Sequence, residues 1–146
     1  MSVPKGRRKP SPEIDFLAEA RVLQMETVRH VVKLIPKRYT FYLGQRIAQS
    51  GQRVYEEAKK GNSIFPTNAQ EAQMRRAHLL EAYAEAQSLN SQIEVAQELI
   101  GFPPEQMKNW CGAVYKTLTA LKDRIEGDKK RFKALPSIQG FTGEGP

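Results

Sequence analysis

The sequence predicts an all-α protein, an up-down-up-down antiparallel four-helix bundle, and three observations carry that reading. Apolar residues recur at steps of three and four in four separate segments, the interval that gathers them on one side of a helix. Proline and glycine punctuate the joints between those segments. No segment alternates apolar and polar residues as a half-buried strand does. The joints are short, and short joints make consecutive helices antiparallel neighbours. A chain of 146 residues is one domain long, and a domain of that size buries about 68–70% of its unfolded surface without needing metal or disulfide.

Residues 1–11 read as a disordered basic arm. Lys5, Arg7, Arg8 and Lys9 stand there without an acidic residue and with almost nothing apolar to bury against the entropy of ordering. The bundle is expected over 12–135. Ser11-Pro12-Glu13 opens the first helix, with a capping hydroxyl before a proline at the first helical position. Ile14, Leu17, Ala18, Met25, Val28, Val32 and Ile35 form its expected apolar stripe, and Pro36 ends it. The second helix should run from about Arg38 to Lys60 on a stripe of Leu43, Ile47, Val54 and Ala58, with Gly61 as a left-handed stop. Gly44, Ala48 and Gly51 share one of its faces. Each glycine there costs ~1 kcal/mol relative to alanine, which points to a close crossing, inside the bundle or between subunits.

Thr67 with Gln70, or Asn68 with Glu71, makes a capping box for a long third helix. Its seam is Leu79, Tyr83, Ala86, Leu89, Ile93, Ala96 and Ile100, and Gly101 closes it. Pro103-Pro104-Glu105 opens the fourth helix, whose stripe is Met107, Cys111, Val114, Leu118, Leu121 and Ile125. From Pro136 to Pro146 the composition turns to glycine, proline and small polar residues, and a flexible tail is expected.

Several function classes are disfavoured. No apolar run approaches the ~18 residues of a membrane span, and none follows the basic start as a secretory signal would. A single cysteine, Cys111, fits a reducing, cytoplasmic compartment. His30 is conceivable as a general base but reads first as a surface or boundary histidine, and His78 as solvated. Cys111, beside Trp110, reads as a small buried hydrophobe. No Glu has a His three residues later, as a di-iron bundle requires. The expectation is no enzyme, no cofactor and no metal.

Charge is more informative. Lys and Arg number 23 against 16 Asp and Glu, a net charge of +7, which favours polyanionic or acidic partners. Between residues 29 and 60 stand Arg29, Lys33, Lys37, Arg38, Arg46, Arg53, Lys59 and Lys60 against Glu56 and Glu57. The third helix reverses the balance, with Glu71, Glu81, Glu85, Glu94 and Glu98 against Arg75 and Arg76. Arg46, Arg53 and Lys60 draw one line down the second helix, and Lys108, Lys122 and Lys129 another down the fourth. Such lines can follow the phosphate backbone of RNA or DNA, each neutralised phosphate releasing counterions. Arg7 and Arg8 on the arm would add mobile contacts. Tyr39, Phe41 and Tyr42 directly follow Lys37 and Arg38; packing or an oligomer interface is their first reading, base stacking their second.

The run from Leu34 to Ile47, Leu-Ile-Pro-Lys-Arg-Tyr-Thr-Phe-Tyr-Leu-Gly-Gln-Arg-Ile, resembles the Pro-Lys…Leu-Gly…Ile signature of small bacterial four-helix-bundle proteins. These include the accessory variability determinants (Avd) of diversity-generating retroelements and bundle proteins encoded in ribosomal RNA intervening sequences. The order of elements agrees over roughly 22–126. The resemblance implies a pentameric, positively charged barrel that binds a reverse transcriptase and template RNA and assists cDNA synthesis without catalysing it. Carried onto this chain, it marks Lys37, Arg38, Arg46 and Arg53. The alternative expectation is a protein-interaction bundle of a prophage or mobile element that binds no nucleic acid.

Overall fold

A computed structural model describes residues 12–138, so the basic arm with Arg7 and Arg8 and the residues from 139 on lie outside the described part. Four helices carry the fold: α1 (Pro12–Leu34), α2 (Gln45–Asn62), α3 (Ala69–Ile100) and α4 (Pro104–Arg131). Contacts across the bundle give the register. Thr27 of α1 faces Gly51 of α2, and Ile35 faces Gly44. Ser50 meets Gln92, Arg53 meets Glu85 and Glu57 meets His78 across α2 and α3. Trp110 reaches Thr27, and Thr117 reaches the Glu19 carbonyl, across α4 and α1. In each series the numbers on one helix rise as those on its neighbour fall, so these pairs run antiparallel. α2 and α4 stand on one diagonal of the bundle, α1 and α3 on the other.

The core agrees with the expected seams of α2 and α3: Ile47, Val54 and Ala58 from α2 pack with Leu79, Ala86, Leu89, Ile93 and Ala96 from α3. In α4 the buried line is Trp110, Val114, Thr117, Leu121 and Ile125, so Met107, Cys111 and Leu118 lie at its edge. The first helix departs further. Phe16, Ala20, Leu23, Thr27 and His30 face the core, while Met25, Val28 and Val32 point outward, Val32 being 78% exposed. Of the expected stripe, Ile35 is buried and Leu17 packs against the core, but between them the buried line includes the polar Thr27 and His30, which apolar spacing does not mark.

The joints also correct the expectations. Beyond Pro36 the chain does not enter an α-helix at Arg38. A 3₁₀ turn covers Lys37–Tyr39 and a π turn covers Thr40–Gly44 before α2 begins. Proline offers no amide proton, and the turn after it closes through Tyr39 N–H onto the Pro36 carbonyl at 2.9 Å. Gly61 is not a left-handed stop but lies within α2, where an added methyl would sit 2.7 Å from Leu79 Cδ2. Its role is close approach of α2 to α3. Gly51 does the same toward α1, its added methyl falling 3.1 Å from Thr27 Cβ, so this crossing belongs inside the bundle.

Asn68 caps α3 through its side-chain oxygen, which accepts from Glu71 N–H at 2.9 Å, while the Glu71 carboxylate accepts from the Thr67 amide at 2.8 Å. Those hydrogen bonds, from the Thr67 amide first and then its hydroxyl, hold the Glu71 carboxyl below its ordinary pKa. Gly101, at φ +83°, ends α3 as expected. The segment after α4 stays tied to the bundle beyond the point where the flexible tail is expected to begin: the Pro136 carbonyl accepts from Ala69 N–H at 2.8 Å, and Ile138 N–H donates to Gln70 at 2.9 Å. Among the described residues no helix is long and apolar enough to cross a membrane.

Candidate nucleic-acid interface

The two expected cationic lines lie on α2 and α4, the diagonal pair, and so do not merge into one surface. Lys122 is exposed on α4, and Lys129, also exposed, stands 4.0 Å from Glu126. Lys108 is exposed near the start of the same helix. The α2 line is uneven along its length. Lys60 lies 3.3 Å from Glu57, whose other oxygen is 2.7 Å from His78 Nδ1. Burial would raise the pKa of Glu57, but hydrogen bonds from His78 and Lys60 outweigh it and hold the carboxyl below its ordinary value. His78 is therefore half-buried and paired rather than solvated. Arg53 lies 3.1 Å from Glu85.

Toward the other end of α2 the carboxylates stop. From residue 27 to residue 55 the chain has no Asp or Glu. Lys37, Arg38 and Arg46 are exposed, and none has a carboxylate within ion-pair distance among the described residues. Arg38 instead lies over the Tyr39 ring, 5.2 Å from its centre. The resemblance's four marked residues thus divide: Lys37, Arg38 and Arg46 share one end of the α1–α2 hairpin, and Arg53 is engaged by α3. A groove of about 570 Å³ runs from that end between α2 and α3, lined by Tyr42, Arg46, Arg53, Glu85 and Gln92. Gln92 donates to the Ser50 hydroxyl at 2.8 Å, which gives the groove floor neutral hydrogen-bonding groups.

His30 and Cys111 both pack into the bundle. His30 is buried, not at the boundary. Its ring stacks on Trp110 with centroids 5.0 Å apart, and its Nδ1 lies 2.7 Å from the Glu26 carbonyl. A carbonyl only accepts, so Nδ1 carries a proton. Trp110 donates in turn to Thr27 at 3.1 Å, which fixes the ring between α1 and α4. Cys111 is partly buried, and burial first, then Glu94, pushes its thiol pKa up, the opposite of what a nucleophile needs. No group of His, Cys, Asp and Glu among the described residues is arranged to hold a metal.

One charged cluster lies inside the bundle and was not singled out from the sequence. Arg75, 1% exposed, donates to Asp128 at 2.6 Å and to the Gly61 and Ile64 carbonyls at 3.2 Å. Arg124 and Arg131 approach the same carboxylate at 3.2 and 3.6 Å. The signal was present: Arg75 stands four residues before Leu79, in register with the α3 seam. No family model, curated protein or solved structure matches this chain.

Proposed function

We propose that this chain is a non-catalytic, oligomeric nucleic-acid-binding bundle whose contact surface is the Lys37, Arg38 and Arg46 end of the α1–α2 hairpin. The observation that supports this most is the absence of any acidic residue from 27 to 55, combined with those cations standing exposed and unneutralised. Such a patch attracts a polyanion through phosphate contacts and counterion release. Lys122 and Lys129 would add peripheral contacts from α4, and Arg7 and Arg8, outside the described residues, would add to the positive charge. The resemblance to retroelement accessory proteins supports template RNA as the ligand, a reverse transcriptase as the protein partner and a pentamer as the assembly.

Assembly has a second support. On α1, Met25, Val28 and Val32 form an exposed apolar strip beside Lys33, with Arg29 there held by Glu26; on α3, across the bundle, Leu99 is exposed beside Glu94 and Glu98, with Val95 at the edge of the groove. A second copy can set one face on the other, apolar on apolar and base on acid, the head-to-tail contact that builds a ring where its rotation closes and a filament where it does not. Several copies of a short cationic patch then bind one strand more tightly than any single copy.

The test is retention of a labelled RNA at two salt concentrations. Charge reversal of Lys37, Arg38 and Arg46 to Glu should abolish retention at unchanged helicity, with each lost phosphate contact lowering the slope of log affinity against log salt by roughly 0.7–0.9. Arg46→Glu should weaken binding more than Arg53→Glu, because Glu85 already occupies Arg53. Unchanged retention in the triple variant would remove this end from the interface. Salt-insensitive or absent binding would favour the protein-interaction bundle instead.

A further inference from the structure

We infer that the nucleic acid taken by this end is single-stranded, with unpaired bases stacked on Phe41 and Tyr42. This rests on the nucleic-acid reading above and adds to it the form of the strand and the residues that sense it. Both rings are 75% exposed, although they sit in adjacent positions within an ordered helical segment. Their neighbours in that segment, Tyr39 and Leu43, pack against the core. Tyr39 and Leu43, four positions apart, share the inner face, and Phe41 and Tyr42 between them fall on the outer one. The segment that carries the rings is a π turn, a distortion common at functional sites.

The rings are set among the unneutralised cations. Lys37 and Arg38 precede them, and Arg46 follows Tyr42 by one turn in the same groove. Flat faces next to backbone-neutralising charges form the platform on which single strands bind with little regard to sequence. A duplex would gain nothing from the rings, because its base faces are already stacked. The cationic line is also poorly suited to a duplex: beyond Arg46 it passes to Arg53, held by Glu85, and Lys60, held by Glu57. The free positive charge covers only a short stretch, enough for a few nucleotides. An acidic protein segment would satisfy the charge but has no regular supply of flat faces for two adjacent rings.

The experiment is fluorescence anisotropy of the full chain with three probes at low salt. They are a labelled single-stranded RNA of mixed sequence, the same strand annealed to its complement, and an abasic strand of equal length. The single strand is expected to bind at least about tenfold more tightly than either other probe, and the Phe41→Ala/Tyr42→Ala variant to lose that advantage while keeping the salt slope set by the cations. Phe41→Leu/Tyr42→Leu, which keeps apolar surface without a flat face, should behave like the alanine variant, and Tyr42→Trp should retain binding. Both rings lie outside the core, so circular dichroism of the variants should match that of the parent. Equal binding of all three probes, or full binding by the leucine variant, would overturn the stacking inference and leave the electrostatic reading standing. Failure to bind any probe would overturn both.

Discussion

Arg75 and His30 show how far single residues can be read without a partner in view. Each is polar, each stands in register with the buried line of its helix, and each is satisfied by groups far along the chain or on its own backbone: Arg75 by Asp128, and His30 by the Glu26 carbonyl and the Trp110 ring. A buried ion pair is costly to leave half-made. Asp128→Asn would leave the 1%-exposed Arg75 and its neighbour Arg124 without their shared carboxylate, and the expected loss is about 3–5 kcal/mol of unfolding free energy in a urea titration. The charge count registers Arg75 only as a base on the third helix, because periodicity shows which face a residue occupies but not what waits there. Lys37, Arg38 and Arg46 were legible for the complementary reason: a run without acidic residues stays unneutralised by its sequence neighbours.

At the level of elements, the seams of α2 and α3 followed from spacing, whereas α1 and the joints did not. Along α1 the buried line takes in Thr27 and His30, polar residues that pack against Trp110 of α4, and apolar spacing cannot mark them. After Pro36 the chain must recover hydrogen bonding through tighter and then wider turns, and no composition rule places a π turn. Glycines divide in the same way. Gly61 allows α2 and α3 to approach, and its replacement by alanine puts a methyl 2.7 Å from the buried Leu79 side chain. Gly61→Ala should therefore destabilise by about 1–3 kcal/mol through overpacking, outweighing the ~1 kcal/mol gain in helix propensity. Gly112, within α4, meets nothing within 4 Å of an added methyl, and Gly112→Ala should stabilise by about 0.4–1 kcal/mol. Thermal denaturation of the two variants separates close approach from mere helix weakening.

Over the whole molecule, the all-α bundle was evident in the four periodic segments, but the arrangement of charge was not. Two cationic lines that look equivalent in sequence occupy diagonal helices, and carboxylates of α3 reach only part of the α2 line. The basic apolar face of α1 and the acidic apolar face of α3 carry a prediction at this scale. Light scattering coupled to size exclusion should give an oligomer, and Val32→Glu, at a position 78% exposed, should reduce it to smaller species without loss of helicity. A parent that already runs as a monomer would remove the head-to-tail contact.

The buried Arg75–Asp128 pair also has a meaning in time. Its two halves lie 53 residues apart, so at a synthesis rate of 5–20 residues per second the carboxylate arrives roughly 3–10 s after the guanidinium. Until then the guanidinium has the Gly61 and Ile64 carbonyls but lacks the carboxylate that it pairs with in the finished fold. During translation α4 therefore brings the counter-charge to this end of the bundle, and a chain ending before Asp128 should be cut there by a protease sooner than the full chain.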